Sequence, residues 1–89
     1  MRAVVTVVGK DAVGILAKVS TKCAEYNANV VEVNQAVLQD VFAMTMLVDI
    51  SKLNDNFANL SDSLAALGDD MGLKILTMHE SIFKCMHEI

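Results

Sequence analysis

Long apolar runs are missing from this chain, basic charge is scarce, and it has two cysteines, no tryptophan and no proline among its 89 residues. The longest nearly apolar stretch, residues 41–48, includes Thr45 and falls far short of the roughly 18–20 residues that cross a bilayer. That excludes a membrane-spanning helix. Seven lysines and arginines against eleven acids leave a net charge of −4, which argues against nucleic acid as a partner, since phosphate binding needs a basic surface. Only Cys23 and Cys85 are available for a disulfide, too few for a stapled secreted scaffold. Met1-Arg2 leads into only a few apolar residues before Lys10 and Asp11, which is not the pattern of a secretory signal. The expectation is a cytoplasmic protein with reduced thiols.

Apolar residues are abundant instead. They make up 54% of the chain against 20% charged, which excludes intrinsic disorder. A chain of this length suits one small domain with a thin core. Surplus apolar residues on a small core point to a face covered by another subunit, so a homodimer or higher oligomer is expected.

Short apolar runs alternate with helical patterns. Residues 3–8 are β-branched and compact, reading as a buried strand that ends at Gly9-Lys10-Asp11. From Val13 the period changes, and Ile15, Leu16, Val19, Cys23 and Tyr26 lie on one helical stripe. Asn27-Ala28-Asn29 breaks that helix, because asparagine tolerates the left-handed conformation. Residues 30–38 and 41–50 form two strands around a Gln39-Asp40 turn. In the second, Phe42, Met44, Met46, Val48 and Ile50 point one way and Ala43, Thr45, Leu47 and Asp49 the other. Ser51, Asn54 or Asp55 would cap a second helix carrying Phe57, Leu60, Leu64, Leu67 and Met71, and residues 73–78 make a fourth strand.

The order βαββαβ predicts an α+β fold, the ferredoxin-like sandwich. Its single antiparallel four-stranded sheet carries two helices on one face, and a short C-terminal helical tail follows. Right-handed crossovers place the first and third strands in the centre. The tail repeats Ile82, Phe83, Met86 and Ile89 at helical spacing, which predicts a short helix docked on this core or a neighbour's, with His87 on its polar side. His79, Glu80, Cys85 and His87 match no zinc spacing, no nucleophile–base pair is legible, and no cofactor is implied; the chain reads as a non-enzyme. Asn34 and Gln35 read first as polar residues that keep an edge strand soluble, the alternative being that they hydrogen-bond a ligand or partner.

The stretch Val8-Gly9-Lys10-Asp11-Ala12-Val13-Gly14-Ile15-Leu16 joins a strand to a helix start, where free N–H groups and the helix dipole favour an anion. Gly14 permits close approach to the backbone, and Asp11 stands where it could receive an ammonium group. N–H donors beside a carboxylate suit a zwitterion such as an amino acid. Alternatively, both glycines only turn the chain and Asp11 caps the helix. No Lys-Ser or Lys-Thr follows Gly14, so this is not a phosphate loop.

Gly-Lys-Asp-Ala-Val-Gly-Ile-Leu-Ala after a first strand, in a βαββαβ order of this length, resembles an ACT domain over about residues 1–79. The tail, residues 80–89, resembles that of short stand-alone ACT proteins. The resemblance implies a non-catalytic regulatory module that binds an amino acid at a subunit interface. Gly14 matches the glycine that contacts the ligand backbone, and Asp11 the polar position that anchors its charged group. Val13 and Ile15 flank Gly14 in the same loop; Val13 stands where the family often has proline. Asn29 and Val30 match the start of the second strand, which in a neighbour would complete the pocket. The other reading open to this fold is a ligand-free interaction adaptor acting on a separate protein partner.

Overall fold

The computed structural model describes residues 1–10 and 13–87. Strand β1 (Arg2–Lys10) leads to helix α1 (Ile15–Glu25), then to strands β2 (Asn29–Leu38) and β3 (Val41–Asp49). Helix α2 (Phe57–Met71), strand β4 (Leu73–His79) and helix α3 (Glu80–His87) complete the chain. The sheet order is β2-β3-β1-β4 with every pairing antiparallel, so the first and third strands are central as expected.

Alternation in β3 sets the core. Phe42, Met44, Met46 and Val48 are buried on the helix side, in line with Val5 and Val7 of β1 and Ile75 of β4. Helix α1 packs over the β2 side and α2 over β4, closing the core with Ile15, Val19, Cys23, Leu60 and Leu64. A bond between Tyr26 Oη and Ser63 Oγ ties the two helices. Burial of Cys23 in this apolar setting pushes its thiol pKa up to about 11.

Three expectations are corrected. Leu16 is 37% exposed rather than part of the buried stripe. The helix begins at Ile15, so Val19 and Cys23, four and eight residues on, share its face while Leu16 is rotated away. The cap of α2 is Asn56, whose side chain accepts the Asn59 N–H at 2.8 Å. Ser51 is occupied elsewhere: its Oγ accepts from the N-terminal ammonium, and its N–H donates to Asp49 at 2.8 Å. Bonding from the Ser51 hydroxyl and N–H holds the Asp49 carboxyl below its ordinary pKa.

The third correction concerns the tail. It docks on its own chain, against β1 and β4, but not through the whole apolar stripe. Arg2 grips Glu80 twice, Nη2 to Oε2 at 2.9 Å and Nε to Oε1 at 3.1 Å, tying the first turn of α3 to β1. Phe83 turns towards the sheet, whereas Ile82 and Met86 stay exposed. Glu88 and Ile89 lie outside the described residues, as does the side chain of His87.

Candidate ligand-binding site

The entry to α1 is built on one backbone conformation. Gly14 has φ 82° and ψ 14°, a left-handed geometry that glycine adopts without a Cβ penalty. Its carbonyl accepts the Lys18 N–H at 3.0 Å, the first bond of the helix. Gly14, the capping residue, has no side chain with which to cap this end, and no acid stands in the first turn. The leading N–H groups of α1 have no intrahelical partner, and they carry the positive end of the helix dipole. Among the described residues other than its chain neighbours, nothing lies within 4 Å of where a Cβ on Gly14 would stand.

The expected site residues divide sharply. Val13 is 98% exposed beside Gly14. Ile15 sends its side chain into the core at 3% exposure, so it can offer a ligand only its backbone. Asp11 lies outside the described residues. Asn29 and Val30 begin β2 beyond the other end of α1, whose eleven residues span about 16 Å. Asn29 is exposed and lines a polar cleft of about 220 Å³ with Asn27, Asp49 and Lys52; Val30 is half-buried against the core. One chain does not bring Gly14 and Asn29 together.

Sheet register gives the reason. Asn29, Asp49 and Arg2 stand in one row across β2, β3 and β1, and Leu38, Val41 and Lys10 in the row at the opposite end. The loop carrying Gly14 leaves from the Lys10 end.

Sequence reasoning missed a groove on the sheet face away from α1 and α2. It measures about 490 Å³, with Val4, Ala36, Ala43 and Leu47 as floor, Asn34 and Thr45 as polar members, and Phe83 and Lys84 of α3 as a wall. The period-two pattern of β3 signals the floor; the wall depends on where the tail docks. Asn34 thus has a place in a concavity as well as on an edge strand. His79 and Glu80 diverge: His79 stacks on Phe57 with ring centroids 4.2 Å apart, on the α2 side, while Glu80 pairs with Arg2. Among the described residues no group of three or more His, Cys, Asp or Glu could hold a metal, and no helix is long and apolar enough to cross a membrane.

Comparison with known proteins agrees with this architecture. A family model of the ACT domain matches residues 2–78. A UPF0237 protein of Methanococcus maripaludis is 48% identical over 86 residues, 97% of this chain and 96% of its own. The solved structure of an ACT domain protein from Streptococcus pneumoniae superposes with a TM-score of 0.81 at 38% identity, covering 93% of each chain. A protein assigned as a glycine cleavage system transcriptional repressor superposes with a TM-score of 0.74 at 25% identity, over 85% of this chain and 43% of its own.

Proposed function

The chain belongs to the ACT domain family, and from that premise we propose that it is a non-catalytic regulatory module binding an amino acid between two subunits. Domains of this family are regulatory, commonly assemble and commonly take small ligands. In this reading residues 1–79 form the sensing domain and residues 80–89 a docking tail. The loop supplies Asp11, Val13, Gly14 and the backbone of Ile15; a second copy supplies Asn29 and Val30.

The observation that carries the reading is the start of α1 at Gly14, a left-handed glycine with no capping side chain of its own, beside an exposed apolar Val13. The N–H groups of a helix start favour a carboxylate, and Val13 offers a surface to an apolar side chain. The sheet supports a site shared by two chains. β2 is an edge strand with Val31 and Val37 exposed. Pairing it antiparallel with the β2 of a second copy would lay that copy's Asn29 beside Leu38, the end from which the Gly14 loop departs. Two equivalent sites would form, each bridging the subunits. A ligand held this way favours the paired state, and that difference in affinity is what a partner could read.

Thermal denaturation against each of the twenty amino acids tests the reading. A true ligand at 100 times its Kd adds about 2.7 kcal/mol, and for a domain of this size each kcal/mol moves the midpoint by roughly 4–8 °C. The expected result is a rise of about 10 °C or more with one or two amino acids, lost in Asp11→Ala. A flat response across the panel would transfer the assignment to a ligand-free adaptor that recognises a protein.

A further inference from the structure

The sheet has a second surface that neither the β2 edge nor the Gly14 loop uses. Its strands present Val8, Leu38, Val41 and Leu76, all at least 42% exposed, and α3 adds Ile82 and Met86 on its outer side at 51% and 66%. Six large apolar residues gathered on one side of so small a domain exceed scattered exposure and mark a contact surface.

The relief of this surface is distinctive. α3, fixed by the Arg2–Glu80 pair, stands as a ridge. Beside it runs the groove floored by Ala36 and Ala43, about 490 Å³ in volume. The ridge cannot enter the groove of its own chain, because its inner side already forms the wall. We propose that this face is a contact between two copies of the chain, in which Ile82 and Met86 of each α3 lie in the groove of the other.

Three features favour a second copy as the occupant. Ridge and groove lie side by side, so a two-fold axis satisfies both at once, the self-complementarity that an isologous contact requires. Charge is within one unit of balance here in a chain of net −4: four bases, Arg2, Lys10, Lys74 and Lys84, accompany three acids, Glu32, Asp49 and Glu80, whereas the helices and their connection carry Glu25, Asp55, Asp62, Asp69 and Asp70 against Lys18, Lys22 and Lys52. Two such faces therefore meet with little net like-charge repulsion. The molecule is a slab of 35 × 34 × 19 Å, and its broad face is large enough for the roughly 800 Å² per partner that a standard interface buries.

Sedimentation velocity over a micromolar concentration series tests the contact, using the intact chain, an Ile82→Glu/Met86→Glu variant and, independently, Ala43→Arg on the groove floor. All three positions are exposed, and circular dichroism checks that each variant folds. The expected result is that both variants halve the assembly mass, or weaken self-association at least tenfold, while keeping the amino-acid response of the parent. An unchanged mass in the folded variants overturns the proposal. So does a parent chain that stays monomeric, including one whose groove resonances shift instead with an amphiphilic small molecule. Loss of the amino-acid response at unchanged mass overturns the face contact and counts against the loop site as well, whereas halved mass with no response to any amino acid supports the contact and refutes only the sensor reading.

Discussion

Replacing Gly68 with alanine pits helix propensity against packing, and the geometry decides which prevails. Within an exposed helix, glycine to alanine is worth about 1 kcal/mol of stabilisation. Gly68 is buried in α2 against β4. A Cβ there would stand 2.8 Å from the Leu73 carbonyl oxygen and 2.9 Å from Ile75 Cγ1. The first neighbour is backbone, and the second is the branched stem of a side chain only 4% exposed, so neither can swing aside. α2 must lift from the sheet and loosen Leu60 and Leu64, both fully buried. Overpacking of this kind costs about 1–3 kcal/mol, which exceeds the propensity gain for all but the mildest case. We expect Gly68→Ala to lose about 1–2 kcal/mol, lowering the thermal midpoint by roughly 5–15 °C. Asp62→Ala, at an exposed position of the same helix, should gain a few tenths of a kcal/mol and shows that α2 responds normally to propensity. A midpoint that rises in Gly68→Ala would refute the close approach of α2 and β4.

Asn56→Ala should cost about 1 kcal/mol in urea unfolding, whereas Ser51→Ala leaves the α2 cap intact and should cost less; the reverse order would place the cap where the sequence first suggested it. Cys23 gives a pH prediction. Its folded pKa of about 11 lies above the ordinary 9.0, so its thiol favours the folded state fully below pH 9, and that contribution is lost as pH rises through 11. The loss amounts to about 2–3 kcal/mol, and comparison with Cys23→Ala across pH 8–11 should show a flatter profile in the variant. A disulfide reagent should modify Cys23 only as fast as the chain unfolds; rapid labelling of this residue in the folded protein would contradict its burial.

Much of the fold was legible because its signals are local. Alternation from Phe42 to Ile50 states both the strand and its buried side, and Asn27 adopts φ 60° at the end of α1, as a short polar residue can at little cost. Features decided by distant contacts were not. Leu16 sits within a helical apolar pattern, but the width of the buried stripe depends on how α1 meets the sheet. The cap is Asn56 and none of Ser51, Asn54 and Asp55, because each of these has a distant or neighbouring partner of its own: Asn54 Nδ2 donates to the Glu25 carbonyl at 2.9 Å, and Asp55 Oδ1 accepts the Asn56 N–H at 2.7 Å. The contact that ties α3 to β1 comes from Arg2, at the far end of the chain from Glu80. A pattern of apolar spacing within eight residues carries no information about that ion pair.

The candidate site is harder to read for a reason of symmetry rather than of chemistry. Gly14 and Asn29 lie beyond opposite ends of α1, whose eleven residues span about 16 Å, and the sheet register puts Asn29 at the end opposite Lys10, from which the Gly14 loop leaves. One chain in this fold does not close a pocket from these two residues. If both touch one ligand, the ligand must lie between copies, and its occupancy must then depend on association. Sensitivity to an amino acid and dependence on assembly are therefore one property in this architecture, coupled with equal strength in both directions. A dilution that dissociates the chains should weaken the ligand by the same factor that the ligand strengthens the dimer. Unequal factors would mean that Gly14 and Asn29 serve separate ends.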